Sequence, residues 1–337
     1  MQFAARITGV GSAFPETRVT NNDLVKKLGK RGIKTDDTWI RERTGIRERR
    51  VSNVENPDEH NSSLGLKAAR NALNMSGKTV EDIDQIIYAT CSPDTLVPST
   101  ACWLQHKIGA KRAWAMDINA ACSGFVYGLA TAETFLQTGR VKTSLVVGGE
   151  VFSSLLNWED RSSCILFGDG AGAAIVEQVS SGSAHRILSS HLLSDGSLWE
   201  LFHVPAGGSN MEVTPERYKK NLHKMKMKGK EIFKVAVKTL VDFAHRALKE
   251  NHMTVDDLDW FVPHQANHRI IEAVGKRLGF PAEKVLVNVD RFGNTSAASI
   301  PTALDEAVRD GRIKSGQTVL LDTFGAGLTY GSILLRW

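Results

Sequence analysis

Asp117-Ile118-Asn119-Ala120-Ala121-Cys122-Ser123-Gly124-Phe125 is a strand that breaks at small residues and hands over to a helix. The strand-like run covers Ala113 to Ile118, and the helix-like run starts at Ser123 and continues through Gly139. A thiol in that turn sits at a helix N-terminus, where unpaired N–H groups and the macrodipole favour thiolate over thiol. Free cysteine is also among the most buried residue types, so the window alone leaves Cys122 open between nucleophile and core filler.

Outward from this turn, short apolar runs alternate with longer amphipathic ones, the signature of an α/β protein. Strands are predicted at Ala5–Val10, Gln85–Thr90, Ala113–Ile118, Ser144–Gly148, Ala171–Val176, Ile187–Leu193, Trp260–Val262, Val285–Val289, Thr318–Leu321 and Gly331–Leu335. Helices are predicted at Asn61–Met75, Ser99–Ile108, Ser123–Thr138, Gly229–Asn251, Asn267–Leu278 and Ser296–Asp310. Leu198 to Lys230, rich in Gly, Pro, Met and Lys, reads as an irregular surface excursion.

The order of elements repeats. Gln85–Thr90, a helix ending in Lys107-Ile108-Gly109, a strand and the Cys122 turn are matched later in the chain. There Trp260–His264 leads to a helix ending in Arg277-Leu278-Gly279, another strand, and the turn Gly293-Asn294-Thr295. Both halves close on a Gly-rich strand entry, Phe167-Gly168-Asp169-Gly170-Ala171-Gly172 and Phe324-Gly325-Ala326-Gly327. This predicts an internal duplication, residues 1–180 carrying the nucleophile and 181–337 the His and Asn, with Cys122 and Asn294 at equivalent strand-to-helix turns.

Composition is that of a soluble globular chain, 42% hydrophobic and 23% charged over 337 residues. No uncharged apolar run is long enough for a membrane helix, and the N-terminus lacks a signal-peptide core, so a cytoplasmic location is expected. Cys91, Cys102, Cys122 and Cys164 show neither C-x-x-C spacing nor disulfide density, which fits a reducing compartment. The net charge of +5 concentrates at Arg41–Arg50 and His223–Lys230. Such clusters are solvated faces or sites for an acidic or phosphate-bearing partner; no aromatic interleaving points to nucleic acid.

His264, in Val262-Pro263-His264-Gln265-Ala266-Asn267-His268, and Asn294 also stand where strands end and helices begin, the usual address of an α/β site. Singly, the one reads as a structural imidazole and the other as a turn or cap residue. With Cys122 they fall at matching topological positions. The spacing and contexts of the three resemble the thiolase-like condensing enzymes, most closely the β-ketoacyl-[acyl carrier protein] synthase III family. The resemblance covers nearly the whole chain. It includes Ile7-Thr8-Gly9-Val10-Gly11, Trp39-Ile40-Arg41-Glu42-Arg43-Thr44-Gly45-Ile46, the Cys122 window, Phe167–Ala174, the His264 and Asn294 motifs and Phe324–Gly331.

The resemblance implies a layered αβαβα thiolase-like fold and a Cys122–His264–Asn294 triad. It implies an oxyanion hole from the backbone N–H groups of Cys122 and Ala326, and no metal or redox cofactor. Acyl-CoA and malonyl-[acyl carrier protein] are the implied substrates, in the cytoplasm, with a homodimer as the assembly. Trp39 and Arg43 resemble residues that sandwich the CoA adenine, with Thr35 and Arg161 nearby, and Ala266 and Asn267 lie along the pantetheine tunnel. Arg269, Lys276 and Arg277 would meet the acidic carrier protein. Val97 matches a position that reaches the partner subunit's acyl pocket; a valine where family members often carry an aromatic leaves the primer's length open.

His268 departs from the usual aliphatic residue and creates His264-x-x-x-His268, a spacing that on a helix would mimic a metal pair, though no third ligand is evident. The series Lys224, Lys226, Lys228 and Lys230 either widens the carrier contact or is simply solvated. A papain-like protease shares the Cys–His–Asn order, but its local cysteine signature is absent here. A non-catalytic partner subunit would have lost the nucleophile, and a hydroxymethylglutaryl-CoA-forming homologue would want a catalytic glutamate in these motifs. A condensing enzyme of secondary metabolism with a longer or branched primer is the remaining alternative.

Overall fold

The structure, a computed structural model, describes residues 2–337. Two sheets carry the molecule. The first has the order Phe3–Ala13, Gly170–Ser180, Thr143–Glu150, Gln85–Ala89, Trp114–Ile118. The second has the order Trp260–Pro263, Thr318–Gly325, Thr329–Arg336, Arg186–Ser194. Read from the opposite edge, the second sheet repeats the first, strand for strand in chain order, until its last member.

That last member is the predicted strand Val285–Val289, and it does not form. Only a parallel bridge between Phe261 and Val285 survives, and Val289–Phe292 turns into a short helix. The Gln265 side chain explains the loss. Its Oε1 accepts from the Asn288 and Val289 N–H groups, at 3.0 and 3.3 Å, drawing these donors away from any ladder.

Three apolar clusters define five layers. The outer cluster of the first sheet packs Leu64, Ala68 and Ala72 of helix Asn61–Ser76, and Leu104 of helix Thr100–Ile108, on Ile86, Leu145 and Ala173. The central cluster joins both sheets through helices Gly124–Gln137 and Ser299–Arg309: Phe125, Leu129, Ile300 and Leu304 pack with Ile87, Val146, Val319 and Leu321. The third packs Leu240 and Ala244 of helix Gly229–Glu250, and Ile270 and Val274 of helix His268–Leu278, on Leu320 and Leu334. Strand Thr318–Gly325 is therefore buried on both faces, Val319 and Leu321 inward, Leu320 and Phe324 outward. The central helices contribute to one shared core, so neither half closes its own.

Each central helix begins with a single 3₁₀ turn, Ala121–Ser123 in one and Ser296–Ala298 in the other. The two turns are built alike. Asn119 Oδ1 accepts from the Ala121 N–H (3.2 Å), and Asn294 Oδ1 from the Ser296 N–H (2.8 Å). Ala121 and Ser296 both take positive φ, 47° and 52°, which non-glycine residues adopt at a cost. The turns are equivalent as expected, but the residues are offset: Asn294 matches Asn119, and Cys122 matches Ala297.

Candidate active site

Cys122 is buried at the tip of its turn, at the meeting point of two cavities. A narrow one of about 100 Å³ is lined by Cys122, His264, Ala266, Asn267, Asn294 and Ala326, among others. A wide one of about 960 Å³ leaves Cys122 in the other direction, between Cys91, Leu155, Phe202, Val213 and Met225. Cys122 and Ala326 line both. The neighbouring Gly325 is held against the Cys122 turn: a Cβ there would stand 2.9 Å from the Ala120 O, the Cys122 N and the Ser123 N. Thr323 Oγ1 ties the two segments further by donating to the Cys122 carbonyl (3.2 Å).

Burial reverses the expectation of an easily formed thiolate. It pushes the Cys122 thiol up to about 12, the Glu150 carboxylate adding to the rise, while a hydrogen bond from Ser296 and the residue's own N–H pull it back. The helix N-terminus does not offset this burial.

His264 follows strand Trp260–Pro263, and its N–H donates to the Asp322 carbonyl (2.8 Å). Its Nδ1 lies 2.6 Å from Ser299 Oγ, and its ring stands edge-on to Phe324 with centroids 5.6 Å apart. Ser299 Oγ already accepts from the Gln265 N–H (3.3 Å), so its own hydrogen is free to go to Nδ1. In that tautomer Nε2 carries the imidazole's hydrogen. Burial lowers the pKa of the ring to about 3, leaving it neutral.

Asn294 is pinned from both sides, its N–H donating to the Leu166 carbonyl (2.9 Å) and its own carbonyl accepting from Gly168 N–H (3.1 Å). With Oδ1 committed to Ser296, its side-chain NH₂ is the group left to act in the cavity. The Phe167–Gly172 motif thus serves the site at one remove. Its Asp169, fully buried, accepts from the Ser52 N–H and from the Ser153 N–H and hydroxyl (2.7, 2.8 and 2.6 Å). Burial pushes its carboxyl up to about 6.

The residues expected to hold CoA fall in two groups. Ala266 and Asn267 line the narrow cavity, Asn267 also capping helix His268–Leu278 through the Ile270 N–H (3.1 Å). Trp39 and Arg43 ride on helix Asp37–Thr44 and meet Arg161 at the surface. The guanidinium carbons of Arg43 and Arg161 stand 4.3 and 4.2 Å from the Trp39 ring centre. The two arginines thus both stack on the Trp39 ring. Thr35, nearby in sequence, has a buried hydroxyl without a partner.

Arg269, Lys276 and Arg277 are all exposed on helix His268–Leu278, with Arg269 and Lys276 seven residues apart and so on one face. Val97 is 86% exposed, and its neighbour Leu96, not Val97, lines the wide cavity. The helical metal pair does not exist. The helix begins only at His268, so His264 lies on extended chain and buried, while His268 packs against Gly45 and faces Glu272 at 3.9 Å. Among the described residues no group of three or more His, Cys, Asp or Glu side chains could hold a metal ion, and no helix is long and apolar enough to cross a membrane.

Family models match two stretches of the chain, and relatives match its whole length. The model described as 3-oxoacyl-[acyl-carrier-protein (ACP)] synthase III matches residues 116–196, and that of its C-terminal part residues 248–337. The chain belongs to the β-ketoacyl-[acyl-carrier-protein] synthase III family. Synthase III of Caldanaerobacter subterraneus subsp. tengcongensis is 47% identical over 100% of this chain and 98% of its own length. That of Clostridioides difficile is 47% identical over 100% and 99%. The crystal structure of the Aquifex aeolicus VF5 synthase III superposes with a TM-score of 0.89 at 41% identity, covering 99% of this chain and 100% of that one. The synthase III fold is thus the thiolase-like one expected.

Sequence reading missed part of the site. The stretch Leu198–Lys230 is no mere excursion: Trp199, Phe202, Val204, Val213 and Met225 wall the wide cavity, and their apolar character within a Lys- and Gly-rich loop is the signal. Its lysines do not share one solvated face, since Lys224 donates to the Ser154 carbonyl (2.6 Å) and Lys228 pairs with Glu200 (3.5 Å). Ser296, Cys91 and Glu150 carry no comparable signal.

Proposed function

We propose that this chain is a β-ketoacyl-[acyl carrier protein] synthase III that transfers an acyl group from acyl-CoA to Cys122 and condenses it with malonyl-[acyl carrier protein]. The observation that carries this reading is the position of Cys122 between a narrow cavity onto which His264, Asn267 and Asn294 open and a wide one walled by Leu155, Phe202, Val213 and Met225. A thioester carbonyl at the sulfur would send its pantetheine arm past Asn267 and Ala266 and its acyl chain into the wide cavity.

The Cys122 thiolate attacks the thioester carbonyl, CoA thiolate leaves, and an acyl-enzyme remains. The oxyanion is met by the Cys122 and Ala326 N–H groups. Malonyl-carrier protein then enters along the same arm and loses CO₂. The enolate oxygen accepts from His264 Nε2–H and the Asn294 NH₂, both neutral donors, and its carbon attacks the acyl-enzyme. The neutrality of His264 supports this donor role over that of a strong base. The chemistry calls for no metal or redox cofactor.

Trp39, Arg43, Arg161 and Thr35 bind the nucleotide end of CoA, whose adenine would displace a guanidinium from the Trp39 face. Arg269, Lys276 and Arg277 present positive charge to the acidic carrier protein beside the tunnel. The exposed Leu96 and Val97 suit coverage by a second protomer, in keeping with a homodimer with Val97 at the partner's acyl pocket. Residues 1–180 and 181–337 act as duplicated halves around one core, and a cytoplasmic location goes with these substrates. Radiolabelled acyl-CoA should leave covalent label on the wild type and none on Cys122→Ala; label on that variant would overturn the assignment.

A further inference from the structure

Glu150 ends strand Thr143–Glu150 fully buried beside the site, and no step above uses it. Its carboxylate accepts from the Cys91 thiol and N–H (both 3.2 Å), the Thr90 hydroxyl (3.2 Å), the Ser296 hydroxyl (3.2 Å) and the Ser92 hydroxyl. All these donors are neutral. Among the described residues Glu150 makes no ion pair. A buried carboxylate without a cation is poised to accept a proton.

Ser296 connects it to the nucleophile. The Ser296 turn packs directly on the Cys122 turn: a Cβ on Gly124 would touch Ala297 Cβ at 3.5 Å, and one on Gly148 would strike the Ala297 carbonyl at 2.3 Å. Ser296, its positive φ held by the Asn294 side chain, donates its hydroxyl to Glu150 (3.2 Å) from the turn that packs on the Cys122 turn.

We propose that Glu150 is a positioning residue that takes up the Cys122 proton through the Ser296 hydroxyl. The Cys122 S–H bond breaks and its proton bonds to Ser296 Oγ, while the Ser296 proton moves to Glu150 Oε1. The electron pair stays on sulfur, and the single negative charge of the cluster passes from carboxylate to thiolate with no change in net charge. The leaving CoA thiolate takes a proton from solvent. When condensation expels Cys122 as thiolate, the proton returns from Glu150 by the same route.

The titratable groups facing Glu150 are Cys91 and Cys122 beside it and Tyr88 on the adjoining strand, with Asp94 and Asp117 farther off. None is cationic, and the His264 ring at the site is neutral. Burial raises Glu150 itself, which brings its proton affinity toward that of the thiol.

This inference rests on Cys122 being the nucleophile, which acyl labelling tests separately. Its own signature is a pH profile. If the proton stays in the cluster, the fraction of protonated Glu150 with thiolate Cys122 is constant across the range in which the pair shares one proton. The probe is iodoacetamide, with alkylation of Cys122 followed by mass spectrometry of its own peptide from pH 7 to 9. The wild type should react at a rate flat within about twofold. Glu150→Gln should rise roughly tenfold per pH unit, because its thiol must lose the proton to water. Glu150→Asp should keep the flat profile, and Ser296→Ala should lower its level without tilting it. A wild-type rate that itself climbs tenfold per unit overturns the proposal, however the variants behave.

Discussion

Gly325→Ala isolates the contact between the Ala326 segment and the nucleophile turn. The backbone at Gly325 lies outside the left-handed region, so alanine meets no conformational penalty there. What it meets is contact: its Cβ would stand 2.9 Å from the Ala120 O, Cys122 N and Ser123 N, where ordinary contact begins at 3.4 Å. Backbone on both sides must part by about 0.5 Å, the difference between those distances. The Cys122 and Ala326 N–H groups, the proposed oxyanion donors, flank this gap, so the separation changes the distance between them. Loss of one such donor costs about 10²- to 10³-fold, and a partial displacement should cost roughly ten- to a hundredfold. Overpacking should also lower stability by roughly 1–3 kcal/mol. The assay is single-turnover acylation of Cys122 by acyl-CoA, with thermal unfolding alongside. Gly275→Ala is the control, since its Cβ would meet Val285 at an ordinary 3.6 Å in the middle of a helix. Wild-type acylation by Gly325→Ala would refute the oxyanion geometry; a loss shared by Gly275→Ala would refute its localisation.

His264→Ala and Asn294→Ala should impair malonyl decarboxylation more than acyl transfer, measured as CO₂ release against acyl labelling; the reverse ranking would reassign both residues. Because burial depresses the His264 pKa to about 3 in the folded chain, its contribution to stability is present above the usual value of 6.5 and is lost as pH falls from there toward 3. Chemical denaturation of wild type and His264→Gln over that range should show the variant losing less stability with acid. Trp39→Ala removes the surface on which Arg43 and Arg161 stack, and should raise KM for acyl-CoA by roughly two- to thirtyfold, about 0.5–2 kcal/mol, with kcat for the bound substrate little changed. An unchanged KM would place the nucleotide elsewhere.

Local sequence carried the elements well. Helix Gly124–Gln137 and helix His268–Leu278 lie within a residue of their expected bounds, because periodic apolar positions and the Asn267 cap act within a few residues of chain. Val285–Val289 failed because its apolar run competes with a donor demand set by Gln265, some twenty residues away. The expectation of a thiolate at Cys122 failed for a related reason: a helix N-terminus is visible in sequence, but the depth at which it is buried is not.

The chain alone therefore determined which groups the protein has for chemistry: a thiol, an imidazole and a carboxamide, each at a strand-to-helix turn of a duplicated pattern. Tertiary structure decided how those groups are tuned. It set Asn294 opposite Asn119 rather than Cys122, made His264 neutral by enclosing it, and turned an apolar loop into a cavity wall. It also brought Glu150 and Ser296, 146 positions apart, to one hydrogen bond beside the sulfur. Residue type and spacing are properties of the chain, whereas solvation and long-range hydrogen bonding arise only when distant segments exclude water together.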